Sequence, residues 1–569
     1  MAYLSKRKHN ESAYLYACED YTDPVTKKRG KTQKYLGKII SDICHFSDEA
    51  VNWSELFIGT DFEEQYWRWR KYQAAQTSPN TDELISLNQI LNCIDKNAGI
   101  DLLCNSQAKR LGLTDLLSQV FGSELSCRIL TLVFFCARGK REPLYSASIW
   151  SKDEILPAED LTENDIAKTL ADISPSQILL FQSMWLKKFP REDNLSLDIT
   201  SVSSYSREIA DVMWGYNRDR ENLPQINLLM MISMSSKLPV WHEILPGAIS
   251  DISTVEDTFK LLHNLGDSPR NIVFDRGFAS AHNFAILHKY KCKYTCGIPY
   301  HNFQELLQEA KELYNSGEFL KPENILSDYE FNNAPISCVT LIRSIGGHRV
   351  YDHMFHTDYF VTKDLNEITR RVKRVHDKLK KEQPITDPVD EIIASTCFVV
   401  KKTPKRGLTI KSLPEKIQDL REVSSGFFTI RTNVFKDPKE ALRYSSLRDG
   451  VEKRFDDLKN QEDMKRLRIH TSHNMRSRIF IQFLAQILRC DALNQLENSK
   501  EHDTRLKTVN DIYMAIESLR LVKVDSHRAF YKYPTKMQKS VIRMFSIPTD
   551  NSKWSKNCKR ELTDCDTRI

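Results

Sequence analysis

The stretch that begins at Asn194 restricts the fold more than any other part of the chain. NLSLDITSV, QINLLMMISMSS and LPVWHEILPG are three short apolar or alternating runs in succession. A helical pattern follows in STVEDTFKLLHNLG, then a strand in NIVFDRG, a helix in SAHNFAILHKYK and a strand in KYTCGIP. Strands followed by alternating helix and strand predict a mixed α/β sheet. Two of the apolar runs end in an acid, Asp198 in LSLDITS and Asp275 in NIVFDRGF. An acid on an apolar strand is costly unless it sits at the sheet edge and is paired. The C-terminal ends of strands are also where α/β folds carry their chemistry. Gly277 allows a sharp turn after Asp275. Taken singly, each Asp reads more readily as a helix cap or turn residue; the two in one sheet carry more information.

A chain of 569 residues exceeds one ordinary core, and its texture divides it. Residues 1–80 hold a β-hairpin, with SAYLYACE and KTQKYLGKI as strands, and a basic-aromatic segment, FEEQYWRWRKY. Lys28 and Arg29 at the hairpin tip, and Arg68 and Arg70 interleaved with Trp67 and Trp69, suit DNA contact or a solvated surface alike. Residues 81–193 repeat apolar positions three and four apart and predict a helical DNA-binding or dimerisation region. Residues 194–299 are the first part of the α/β core. Residues 300–435 combine a helix, FQELLQEAKELY, with strands at SCVTLIRSI, HRVYDHMFH, STCFVVKK and GFFTIRTN, and predict an inserted β-rich domain. Its basic helix TRRVKRVHDKLKK includes Arg371 and Arg374. Residues 436–500 return to helix, with Asp437 as cap and Pro438 in the first turn. Residues 501–569 hold a further helix and a basic tail.

In the helix predicted near Glu452, Arg448, Glu452 and Lys459 recur at intervals of four and seven and share one face, with Phe455 and Leu458 close to it. Such a stripe reads either as ordinary surface ion pairing or as an inward face that needs partners. Three carboxylates without a His or Cys cluster favour hard, oxygen-liking ions, Mg²⁺ or Mn²⁺. Two such ions can activate a hydroxyl and stabilise the leaving oxygen in phosphoryl transfer.

LDITS, FDRGF and the Tyr-Arg-Glu-Lys helix resemble the DDE transposases of bacterial insertion sequences, in the broad insertion-sequence-four superfamily. The family spacing Y-x2-R-x3-E-x6-K is met by Arg448, Glu452 and Lys459, whereas Ser445 stands where the tyrosine belongs and Tyr444 lies one residue earlier. GYNRDRENLPQINLLMMIS and PGAISDIST are similar to further family segments, and the likeness runs from about Leu195 to Leu488. The resemblance implies a ribonuclease-H-like mixed sheet interrupted by a β-rich insertion before the glutamate helix. It implies Asp198, Asp275 and Glu452 as catalytic ligands of two Mg²⁺ or Mn²⁺ ions. Arg448 and Lys459 are then contacts to terminal phosphates, with Tyr444 and Arg276 as further DNA contacts. Asp251, Asp449, Asp456 and Asp457 are read as structural. The activity implied is cut-and-paste transposition, in which a homodimer binds terminal inverted repeats, cleaves DNA and transfers the strand to target DNA. A rival is a catalytically silent DNA-binding protein derived from a transposase; the presence of all three acids speaks against it.

Bulk composition permits this without demanding it. The formal net charge of +6 is mild for the length, so local patches must carry any nucleic-acid contact. Thirteen cysteines include no CxxC pair; Cys292 and Cys296, four apart in a strand, read as buried thiols. The N-terminal MAYLSKRKHNES has no apolar signal region, and the longest apolar run, ILTLVFFCA, is too short to span a bilayer. A cytoplasmic, nucleoid-associated bacterial protein without a membrane partner is the expectation.

Overall fold

The computed structural model describes the chain except residues 1, 10–11, 24–26, 41, 78–93, 216–221, 249–254, 265–269, 404–406, 424–425, 449–465, 468, 470, 500–502, 524–528 and 548–569. It divides into two compact units, Met1–Cys93 and Ile94–Ile569.

In the first unit, β1 (Ala2–His9), β2 (Ser12–Thr22), β3 (Arg29–Ile40) and β4 (Ile43–Phe46) form an antiparallel sheet in sequence order. The predicted hairpin is β2 and β3, and a strand is added on each side of it. Two-residue alternation sends Ala13, Leu15 and Ala17 to one face, where they are buried with Leu36, Ile39, Phe57 and Tyr66. The basic-aromatic segment lies in the helix Glu63–Thr77. Its Tyr66 stacks on Phe57 at 4.2 Å, so half of the aromatic character serves this small core.

The second unit is built on a ten-stranded sheet. Its first five strands are β6 (Asn194–Ser204), β7 (Gln225–Ser233), β8 (Pro239–Pro246), β9 (Asn271–Phe274) and β10 (Lys293–Ile298). β6, β7 and β8 are successive antiparallel neighbours, whereas β9 joins the other side of β6 in parallel and β10 joins β9 in parallel. The sheet continues through β16 (Phe427–Thr432), β13 (His348–His356), β12 (Ala334–Ile345) and β11 (Ile325–Phe331). Four strands of the 300–435 segment therefore extend this sheet. The stretch between β13 and β16 has a separate small core, around Val375, Ile393, Cys397 and Phe398, and a two-stranded sheet of its own. There the predicted strand STCFVVKK begins at Phe398 as β14 (Phe398–Thr403), paired with β15 (Gly407–Ser412), because Ser395–Cys397 complete the helix Pro388–Cys397. The tenth strand, β17 (Arg466–Leu467), pairs in parallel with the end of β6.

Helices of the 94–186 segment pack on the helix Ser472–Asn498, which is buried along most of its length. Two of its buried charged groups are tied to those helices. Asp491 accepts from Arg110 at 2.6 Å and Gln107 at 2.8 Å, and Arg489 donates to the Ala137 carbonyl at 3.0 Å. The predicted helix DELISLNQILNCI falls outside the described residues up to Cys93. Ile94 opens β5 (Ile94–Asn97), which pairs with β18 (Arg520–Lys523).

Gly247, at the end of β8, shows why this turn takes no side chain. A Cβ there would lie 1.9 Å from the Gln225 carbonyl oxygen and 2.6 Å from that of Met213. No described helix is long and apolar enough to cross a membrane.

Candidate active site

Parallel pairing brings the two strand acids together. Leu197 on β6 is the register partner of Phe274 on β9, so Asp198 and Asp275 follow at equivalent positions on neighbouring strands. Adjacent backbones in a sheet are about 4.8 Å apart, which leaves two carboxylates within reach of one ligand. Their settings differ. β9 ends at Phe274, and Asp275 starts the turn Arg276–Phe278, where its Oδ1 accepts the Arg276 N–H at 2.7 Å. The acid both caps this turn and faces outward, with its side chain 43% exposed.

Asp198 does not end its strand. It is the fifth residue of β6, which continues to Ser204, and it is buried. The expectation of a strand end failed because the polar run Thr200–Ser204 is buried as well. Ser201 donates to the Asn227 side chain of β7 at 3.4 Å, so polar residues here belong to the interior of the sheet. Asp198 Oδ1 accepts its neighbour's Ile199 N–H at 2.8 Å.

A third element reaches the same place. Residues 438–448 are helical, and Asp437 caps them as predicted, accepting the Lys439 N–H at 2.9 Å. Arg448, in the last described turn, places Nη2 3.5 Å from Asp275 Oδ1 and is 14% exposed. A guanidinium therefore stands beside the outer acid. Glu452 and Lys459 lie outside the described residues, as do Asp251, Asp449, Asp456 and Asp457. Among the described residues no group of three or more His, Cys, Asp or Glu side chains has a metal-binding arrangement. Cys292 and Cys296 are buried free thiols.

Next to Asp275 opens a cavity of about 480 Å³, lined by Arg276, Tyr300, His301, Phe427 and Phe428 among others. Tyr300 is fixed by a 2.7 Å hydrogen bond between its hydroxyl and that of Thr429. Apart from Arg276, in the turn after β9, these residues come from the ends of β10 and β16, which are far apart in sequence, and no spacing in the chain announces them.

The remaining predicted contacts scatter. Tyr444 stacks on Phe435 at 4.8 Å and 8°, within the small core under β11, β12 and β13. Arg276 is exposed at the cavity mouth. Lys28 and Arg29 are exposed at the turn between β2 and β3. Arg68 is exposed and paired with Glu64 at 3.2 Å, while Arg70 is half-buried. Arg371 and Arg374 both reach Asp390, at 3.4 and 2.8 Å, and Asp390 is 1% exposed. They tie the helix Asp358–Lys380 to the helix Pro388–Cys397.

Sequence reasoning missed a buried ion cluster behind β10. Asp352 on β13 receives Arg431 Nε at 2.7 Å and Nη2 at 2.9 Å, and Arg343 Nε at 2.7 Å. Arg343 also bonds Glu309. Arg431 lies over the rings of Phe284 and Phe303. The cluster locks β16, the neighbour of β10, onto β13 and β12.

Among solved structures, the chain is similar to the piggyBac transposase in its synaptic complex with hairpin DNA, determined by cryo-electron microscopy. The identity is 10% and the TM-score 0.32, over 81% of this chain and 82% of that one. No curated protein matches. The family model of the transposase DDE domain matches residues 190–488, a span that contains Asp198, Asp275, Arg448 and Glu452. That span is more than half of the chain, and the protein belongs to the transposase DDE-domain family.

Proposed function

We propose that this chain is an active DNA transposase. It binds the terminal inverted repeats of its own element as a homodimer, hydrolyses the phosphodiester at each end and directs the freed 3′-hydroxyl onto target DNA. The observation that carries the reading is the register of β6 on β9, which sets Asp198 beside Asp275 with Arg448 against the second acid. A ribonuclease-H-like core is supported by three antiparallel strands in succession followed by two parallel additions beside the first.

The donor chemistry fits divalent cations. Two neighbouring carboxylates offer oxygen ligands of the kind that Mg²⁺ and Mn²⁺ prefer. Asp198, Asp275 and Glu452 are the residues that would hold two such ions, whose chemistry when bound is activation of a hydroxyl and stabilisation of charge at phosphorus. The chain's own part is positioning. β6 holds Asp198 within a rigid strand, the end of β9 holds Asp275 in the turn that follows it, and Arg448 supplies a fixed positive charge where negative charge gathers on the phosphate. Lys459 is assigned to the same phosphates. Arg276 at the mouth of the neighbouring cavity is a further DNA contact.

The test is cleavage and joining of a labelled duplex carrying the element's end, with Mg²⁺, for wild type and Glu452→Gln. The reading requires that wild type cut and join while the variant binds and does neither. Binding without cutting by both would favour a silent DNA-binding protein. Cutting by the variant at the wild-type rate would remove Glu452 from the ligand set.

A further inference from the structure

The sheet of the first unit has two unlike faces. One is covered by the core around Leu15, Phe57 and Tyr66. On the other, strand alternation aligns Tyr3 of β1, Tyr14 and Tyr16 of β2, and Tyr35 of β3. Tyr16 and Tyr35 are direct cross-strand partners, with ring centroids 5.8 Å apart, and Tyr14 lies 6.3 Å from Tyr35. Tyr3 and Tyr35 are 41% and 42% exposed. Clustered exposed rings mark interaction sites more often than chance placement.

Cations are interleaved with these rings on the same face. Arg7 lies 5.6 Å from the centre of Tyr16, Lys38 5.9 Å from Tyr14, and Lys31 4.8 Å from Tyr3. Residues 1–46 contain nine Lys and Arg against five Asp and Glu, an excess of four where the whole chain's is six. The face therefore complements a polyanion that also offers flat apolar surfaces. A cation over an exposed ring gains only about 0.5–1 kcal/mol from it, less than a charge-assisted bond to a phosphate offers.

We propose that this outer face binds single-stranded DNA, with unpaired bases stacked on the tyrosines and the backbone phosphates on Arg7, Lys31 and Lys38. Duplex bases hide their faces in their own stack. The major groove, about 12 Å wide, admits a helix or a two-stranded ribbon, whereas four strands at about 4.8 Å spacing are already broader than that. The inference goes beyond transposition as such and does not depend on the carboxylate site, so the two readings fail separately.

The test is fluorescence anisotropy of the full chain with labelled oligothymidine and with a duplex of equal length, in EDTA, at several salt concentrations. The single strand should bind more tightly. Tyr16→Ala and Tyr35→Ala should each weaken it by roughly five- to 150-fold, the range for loss of one base–ring stack, while Tyr35→Phe keeps wild-type affinity. Arg7→Gln or Lys31→Gln should reduce the slope of log affinity against log salt by about 0.7 each. Equal affinity for duplex, alanine variants that bind normally, or loss of binding in Tyr35→Phe would overturn the proposal. Labelled polyglutamate binding more tightly than oligothymidine, with the loss in Tyr16→Ala and Tyr35→Ala confined to polyglutamate, would assign the face to an acidic protein instead.

Discussion

Asp352→Ala should loosen the sheet next to the candidate site far more than an average substitution. The carboxylate is fully buried and is held by three charge-assisted bonds, two of them from Arg431. Arg343 is 31% exposed and keeps Glu309, so it loses little. Arg431 is 6% exposed and keeps only ring contacts in their place. Breaking a buried pair by removing one partner costs about 3–5 kcal/mol, a large share of the roughly 5–15 kcal/mol that holds a typical fold. The assay is amide hydrogen exchange on peptides covering β13 and β16. At about 1.4 kcal/mol per tenfold, protection should fall by roughly 150- to 5,000-fold. Asp352→Leu combined with Arg431→Met, which removes both charges, should recover most of it. Protection unchanged in Asp352→Ala, or a double variant worse than the single one, would refute the argument.

Other consequences follow from single sites. Gly247→Ala drives a methyl into two carbonyl oxygens, and overpacking of this kind costs about 1–3 kcal/mol; a thermal melt that matches wild type would count against it. Burial raises the Glu154 carboxyl to about 7. The folded state then holds a proton that the unfolded state has released, so this group's contribution to stability falls as pH rises from 4.5 towards 7. Glu154→Gln should remove that decline in denaturation measured across the window. Burial lowers His242 to about 3. There the unfolded chain takes the proton first, so stability is lost as pH falls below 6.5, and His242→Leu should flatten that limb.

How far the chain could be read depends on the kind of interaction. β7 and β9 were legible because they are buried on both faces and their apolar runs are nearly unbroken, and β6 because Leu195, Leu197 and Ile199 alternate along it. The acids stood out against those runs. Their adjacency was not legible: β7 and β8 intervene in sequence, and pairing of β6 with β9 is a matter of register. The same limit explains the 300–435 segment. Alternation in HRVYDHMFH announces a strand but does not say that β16 will join it to β10. Charge misleads in a related way. Arg371 and Arg374 read as a basic surface, yet both turn to Asp390, whose partners lie on another helix. Asp198 reads as a strand end, yet β6 continues to Ser204, because the surrounding elements bury Thr200, Ser201, Ser203 and Ser204.

The most direct test of the paired acids is a metal switch. Asp198→Cys and Asp275→Cys each replace a hard oxygen donor with sulfur, which Mg²⁺ binds poorly and softer ions accept more readily. End cleavage would be measured for both variants in Mg²⁺ and in Mn²⁺. If Asp198 and Asp275 share the ions, each variant should be inactive in Mg²⁺ and regain activity in Mn²⁺, while Asp198→Ala and Asp275→Ala stay inactive in both. Full activity of either cysteine variant in Mg²⁺ would contradict the account.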